Sequence, residues 1–140
     1  MVFGYTMKFS TKAEYGLRAL VNLASKKGYY SLGQIAKEEK ISLAYLEHLF
    51  AKLKKAKIIA SQKGVKGGYK LAKPSKSITV RDIFIALEGN LTPYKCNCFD
   101  FSQICKTTKC SCQIKSVWQK LDQKINQTLA SIKLNDLINN

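Results

Sequence analysis

All five cysteines of this 140-residue chain fall between Cys96 and Cys112, so whatever thiol chemistry it performs is performed at one place. Cys98, Cys105 and Cys112 have six residues between each, Cys96 and Cys110 are their near neighbours, and Asn97, Asp100, Thr107, Thr108 and Ser111 lie among them. Thiolates are soft ligands suited to iron-sulfur clusters or zinc, and a long loop can wrap them around a small inorganic core. The C-x-C pairs Cys96/Cys98 and Cys110/Cys112 fit poorly with tetrahedral zinc sites, which usually present C-x2-C to C-x4-C elements. Thiol-disulfide catalysis is not expected, because there is no C-x-x-C, no βαβ pattern to carry one, and no histidine near the thiols to act as base. The chain does not read as an enzyme.

Charge points to a polyanionic partner. The 24 Lys and Arg against 9 Asp and Glu give a formal charge of +15, with 15 basic and 4 acidic residues in 1–75 (net +11) and 9 and 5 in 76–140 (net +4). A nucleic-acid face therefore belongs to the first half. No apolar run approaches the roughly 20 residues needed to cross a bilayer. The most apolar N-terminal stretch, Ala13 to Ala24, is interrupted by Glu14 and Arg18 and cannot serve as a signal-peptide core. The expected compartment is the cytoplasm, where thiols stay reduced, and the odd cysteine count also argues against structural disulfides.

The elements that must position these groups are mostly helical. Residues Met1 to Thr6 carry no pattern and read as a frayed extension or an alternative start before Met7. Thr11 with Glu14 has the spacing of a capping box, opening a first helix with Ala13, Leu17, Leu20, Val21 and Ala24 on one face and Gly28 as its stop. Ser31 with Gln34 repeats the box before a short helix that buries Leu32, Ile35 and Ala36 and ends near Lys40. Ser42 caps a third helix, with inner stripe Leu43, Leu46, Leu49, Phe50 and Leu53, and with Ala44, Tyr45, Glu47, His48 and Lys52 facing outward. Ile58 to Ser61 and Tyr69 to Leu71 read as strands around the basic, glycine-rich Gln62 to Gly68, a β-hairpin or wing. Thr79 and Asp82 open another capped helix through Ile83, Phe84 and Leu87, closed by Gly89.

From Gln113 onward Ile114, Val117, Trp118, Leu121, Ile125, Leu129 and Ile132 form one stripe at helical spacing. Its length favours a dimer seam over packing on its own domain. The fold class is thus mainly α with a small β-hairpin wing. It divides into a winged helix-turn-helix over 7–89, a cysteine-rich loop over 90–112, and a dimerisation helix with C-terminal tail over 113–138.

In a helix-turn-helix the second helix enters the major groove with its N-terminal residues at base edges. Tyr45 can reach a phosphate or a thymine methyl, and His48 can donate to a base acceptor. Glu47 accepts only from a cytosine or adenine amino group while repelling phosphates, which argues for base reading over adhesion. Beyond them Lys52, a further candidate DNA contact, forms a basic cluster with Lys54, Lys55 and Lys57. In the wing, glycines let backbone approach the sugar-phosphate chain while Lys63 and Lys66 supply charge for phosphates or a narrow minor groove.

The runs Met7 to Leu20, Ile41 to Phe50 and Gly67 to Ala72 resemble the Rrf-type winged-helix transcriptional regulators, the group of the iron-sulfur regulator IscR, the nitric-oxide sensor NsrR and the cysteine-metabolism repressor CymR. The resemblance covers essentially Met7 to Ile138, including Ile83 through Gly89 and Trp118. It implies a homodimer held by the long C-terminal helix around Val117, Trp118, Leu121 and Ile125, with two winged units reading a pseudo-palindromic double-stranded DNA operator. Ala44, Tyr45, Glu47 and His48 match the family's base-facing residues. Lys63 sits where many members carry a wing arginine, keeping the charge but losing the bidentate fork.

The resemblance also implies an iron-sulfur cluster, 2Fe-2S or 4Fe-4S, on Cys98, Cys105 and Cys112, through which redox, iron-sulfur, nitric-oxide or cysteine status is sensed. Cys96 and Cys110 have no counterpart and could replace a ligand or act as redox partners. The histidine that completes the site in some relatives is missing, since the segment reads Gln113-Ile114-Lys115. In others an acidic residue early in the first helix reaches across the dimer, and Glu14 occupies that place beside its ordinary role as capping-box acid. The alternative is a cluster-free or zinc-bound repressor of the same family.

Overall fold

The computed structural model describes residues 10–91 and 115–138. Met1 to Thr6, Met7 and all five cysteines lie outside the described residues. Helix α1 spans Thr11–Ser25, α2 Leu32–Glu39 and α3 Leu43–Lys55. Strands β1 (Ile59–Gln62) and β2 (Gly68–Leu71) follow, then a 3-10 turn at Ser75–Ser77, α4 (Val80–Glu88), α5 (Lys115–Ser131) and α6 (Leu134–Ile138). This is a mostly helical chain with one antiparallel hairpin, a winged helix-turn-helix continued by two C-terminal helices.

The cap of α1 lies one residue earlier than expected. The side chain of Ser10, not Thr11, accepts from the Lys12 amide at 3.3 Å. The carboxylate that completes the cap comes from α4: Glu88 accepts from the Ser10 hydroxyl and, at 3.3 Å, from the Ala13 amide. A carboxylate at the positive end of a helix is favourable wherever in the sequence it originates, so Glu14 is displaced from the capping role. Ser31 does precede α2, but its side chain makes no capping bond. Ser42 caps α3 by accepting from the Tyr45 amide at 3.1 Å, and Thr79 with Asp82 forms a reciprocal capping box on α4.

Helices α2 and α3 end alike. Lys40 (φ 55°) and Lys57 (φ 58°) adopt the left-handed conformation. The next residue donates back across the turn, Ile41 to Ala36 at 3.0 Å and Ile58 to Leu53 at 3.0 Å. Each is a Schellman motif, satisfying terminal carbonyls and turning a buried isoleucine into the core. The turn between α2 and α3 is thereby set by backbone geometry.

The core is one cluster in which Leu20, Ile35, Leu46, Leu49, Phe50, Leu53, Ile83 and Leu134 are fully buried. Leu43, expected in the inner stripe, is 45% exposed. The C-terminal segment enters this core. Helix α5 stops at Ser131, one residue short of the expected stripe's end, and the Leu134 and Val80 amides pair with the carbonyls of Ile78 and Ile132 at 2.9 Å each. The Lys133 amide donates to Asp136 at 2.9 Å, starting α6 where a tail was expected. Leu129 and Ile132 pack against the same core, whereas Val117 is 58% exposed. No helix among the described residues is long and apolar enough to cross a membrane.

Candidate nucleic-acid interface

The wing is anchored to the front of α2. Ile59 pairs with Leu71 and Gln62 with Gly68 across the hairpin, and Tyr30 and Tyr69 exchange backbone hydrogen bonds of 2.8 and 2.9 Å. Gly68 (φ 140°) is required there, since a Cβ would meet the Tyr30 carbonyl oxygen at 2.4 Å. Phe50 meets the Tyr69 ring edge-on at 5.1 Å between centroids, fixing the wing against α3.

On α3, Ala44, Glu47 and His48 are exposed side by side. Tyr45 is half-buried: its ring lies edge-on to Tyr15 at 6.0 Å and its hydroxyl shares a hydrogen bond of 3.3 Å with Thr11. Lys52 departs from its expected outward position. Its ammonium turns back to donate to the Leu87 carbonyl at 3.2 Å, because that oxygen, in the last turn of α4, has no intrahelical partner.

Glu39 pairs with Arg18 at 3.1 Å and Glu38 with Lys26 at 3.1 Å, both bound also by the Asn22 amide, on the side formed by α1 and α2. Hydrogen bonds from the Tyr30 hydroxyl first, then from Asn22 and Lys26, hold the Glu38 carboxyl down to about 2. Its own bond to Glu38 raises the Tyr30 hydroxyl above its ordinary value, and a separate bond to Glu38 raises the Lys26 ammonium. Lys54, Lys55, Lys57, Lys63, Lys66 and Lys73, along the end of α3 and the wing, are exposed and make no ion pair among the described residues. Uncompensated cations beside an exposed helix face give a surface suited to a polyanionic partner.

Glu14 is exposed on the first turn of α1, and its side chain makes no hydrogen bond or ion pair among the described residues. Trp118, Leu121 and Ile125 lie along α5, with Leu121 and Ile125 half-buried. No group of three or more His, Cys, Asp or Glu that could hold a metal occurs among the described residues; the candidate thiol ligands lie outside them. The Glu88 cap, the Lys52 tie and the two left-handed lysines escape sequence reasoning, and only α6 has a visible cue, Leu134, Leu137 and Ile138 at helical spacing with Asp136 near its start.

Residues 9–140 match the family model Rrf2, described as an iron-dependent transcriptional regulator. The chain is 35% identical over 138 residues to the HTH-type transcriptional regulator IscR of Cereibacter sphaeroides, covering 96% of this chain and 88% of that protein. Among solved structures it is similar to the global cysteine regulator CymR of B. subtilis, with TM-score 0.79 and 31% identity over 96% of this chain and 98% of that one. It is also similar to IscR of T. potens, with TM-score 0.74 and 40% identity over 94% and 86% of the two chains.

Proposed function

Because this chain belongs to the Rrf2 family of DNA-binding transcriptional regulators, we propose that it acts in the cytoplasm as a homodimer on a pseudo-palindromic operator and senses its signal through an iron-sulfur cluster. The observation that carries the DNA reading is the juxtaposition of exposed Ala44, Glu47 and His48 with the unpaired lysines of α3 and the wing. Glu47 accepts from a cytosine or adenine amino group in the major groove, His48 donates to a base acceptor, and Lys63 and Lys66 neutralise phosphates. Tyr45 is half-buried beside them, its hydroxyl sharing a hydrogen bond with Thr11. Val117, Trp118, Leu121 and Ile125 form the dimer seam along the part of α5 not used by the core, so residues 7–89 read DNA and 113–138 join protomers.

The donor set fits a cluster: three evenly spaced thiols, Cys98, Cys105 and Cys112, in the segment 90–112 between α4 and α5. Glu14, released from helix capping, is the candidate fourth ligand, with Cys96 and Cys110 as reserves. When bound, the cluster supplies a centre whose state changes with iron, oxygen or nitric oxide. The chain's own contribution is to join that segment directly to the last turn of α4, which Lys52 and Glu88 fasten to α3 and α1.

Iron and acid-labile sulfide analysis of anaerobically reconstituted protein tests this reading. Visible absorbance should appear in wild type and in Cys96→Ser and Cys110→Ser, and disappear on serine substitution of Cys98, Cys105 or Cys112. Colourless wild-type protein would leave the cluster-free or zinc-bound regulator as the correct reading.

A further inference from the structure

Helices α4 and α5 enclose an open cleft of about 410 Å³ whose walls carry both signs of charge, Arg81 from α4 and Asp122 from α5. The two do not pair with each other. Asn126 stands between them, accepting from Arg81 Nε at 2.8 Å and donating to an Asp122 carboxylate oxygen at 3.2 Å. The two terminal nitrogens of Arg81 and the second oxygen of Asp122 have no partner among the described residues, while Ile85 and Leu91 give the same cleft an apolar wall and Gln123 a further amide.

We infer that this cleft binds a free α-amino acid, its carboxylate on the Arg81 guanidinium, its ammonium on Asp122, and its side chain along Ile85 and Leu91. Guanidinium groups bind carboxylates through paired N–H donors. An inorganic anion would be opposed by Asp122 and a simple amine by Arg81. A molecule carrying both charges on adjacent positions satisfies both walls, with Asn126 holding them one amide apart. Such a ligand would cross-link the last helix of the DNA-binding unit to α5. The site uses no cysteine, so it stands whether or not the thiols hold a cluster.

The test is titration calorimetry on the full-length protein at physiological ionic strength with a panel of the standard L-amino acids. It is repeated for any that binds with its N-acetyl derivative, which lacks the ammonium, and its amide, which lacks the carboxylate. At least one amino acid should saturate with a Kd between about 10 µM and 1 mM, and both derivatives should bind roughly tenfold or more weakly, the loss expected for one charge-assisted hydrogen bond. Arg81→Gln and Asp122→Asn should each weaken binding by a similar factor, with unliganded melting curves showing that both variants fold. Arg81→Lys, which keeps the charge, should retain more affinity than Arg81→Gln. The inference is overturned if no amino acid saturates below about 10 mM, if the N-acetyl derivative binds as well as its parent, or if folded Asp122→Asn binds like wild type.

Discussion

Lys52 Nζ donates to the main-chain carbonyl of Leu87 across 3.2 Å, tying the helix that carries Glu47 and His48 to the last turn of α4. Its neighbours Lys54 and Lys55 are exposed to solvent. Within one turn of α3, one lysine is thus tied into the fold while its neighbours stay open to solvent.

Lys52→Met keeps the aliphatic stem and removes the ammonium. It should lower stability by about 1.5 kcal/mol, the low end of the range for a hydrogen bond from a charged donor because this one is only partly buried, read from urea midpoints. The salt dependence of DNA binding should not change, because this ammonium already has a partner. A fall in the log-log slope by about 0.9, the signature of one phosphate no longer neutralised, would place Lys52 at the DNA after all.

At Lys40 and Lys57 an L-residue occupies the left-handed conformation. Glycine removes that strain and costs some unfolded-state entropy, leaving a net gain of about 0.5 to 1 kcal/mol for either Lys40→Gly or Lys57→Gly. Lys57→Ala is the control, since it deletes the charge and keeps the Cβ. If alanine stabilises as much as glycine, the gain comes from relief of charge repulsion and the backbone argument is wrong.

These lysines also explain where the sequence is hard to read. The periodic stripes of α1 to α4 and the glycines around the wing are legible because burial and left-handed turns leave local marks. The left-handed conformation of a lysine leaves none: the end of the second helix near Lys40 is legible, but Lys40 and Lys57 themselves look like solvated surface, and only the buried Ile41 and Ile58 after them hold the motif in place. Ser10 and Glu88 are far apart in the chain, and no local pattern links them. Spacing alone assigns the cap to Thr11 and Glu14, yet a carboxylate brought in by α4 takes the position first. The tie of Lys52 to α4 is tertiary in the same sense. On α5 the stripe is plainly apolar in sequence, but periodicity cannot say that Leu129 and Ile132 face this chain's own core while Val117 is open.

Glu38 makes one link between α1 and α2 pH-sensitive. Its folded-state carboxyl lies at about 2 against an ordinary 4.5, so its contribution to stability is present above 4.5 and fades as pH falls toward 2. Tyr30 and Lys26 shift upward, so theirs is present below the ordinary values of 10.0 and 10.5 and fades as pH rises through the raised ones. Glu38→Gln keeps an acceptor for the Tyr30 hydroxyl and removes the charge. The gap in melting temperature between wild type and this variant should be largest near neutrality and close as pH is lowered to about 2. A gap that stays constant from about pH 7 to about pH 3 would mean that the carboxylate is unperturbed.

Val117 separates a dimer seam from an ordinary surface. At 58% exposed it contributes little to the fold of one protomer, so Val117→Glu should leave far-UV circular dichroism unchanged. If α5 carries the seam, the buried charge should dissociate the dimer, since an unpaired charge at an apolar interface costs several kcal/mol. Sedimentation at low micromolar concentration would then give a monomer; a persistent dimer places the seam elsewhere.

The sharpest division of labour lies between Glu47 and the wing lysines. Lys63 and Lys66 are exposed and unpaired at the hairpin tip, so Lys63→Ala or Lys66→Ala should weaken binding to operator and random duplex alike, and reduce the salt slope by about 0.9 for each phosphate that the missing ammonium would have neutralised. On the proposed reading Glu47 does the opposite job from the same surface. Its carboxylate is repelled by every phosphate and rewarded only by a base amino group, so Glu47→Ala should tighten binding to random DNA while loosening the preference for operator, worth about 1 to 3 kcal/mol of discrimination at the base it reads. Fluorescence anisotropy on operator and scrambled duplexes over a salt series measures both effects in one experiment. Unchanged slopes in both lysine variants remove the wing from the interface. A Glu47→Ala protein whose affinity for operator and scrambled DNA falls equally shows that the carboxylate supports the fold of α3 and does not read sequence.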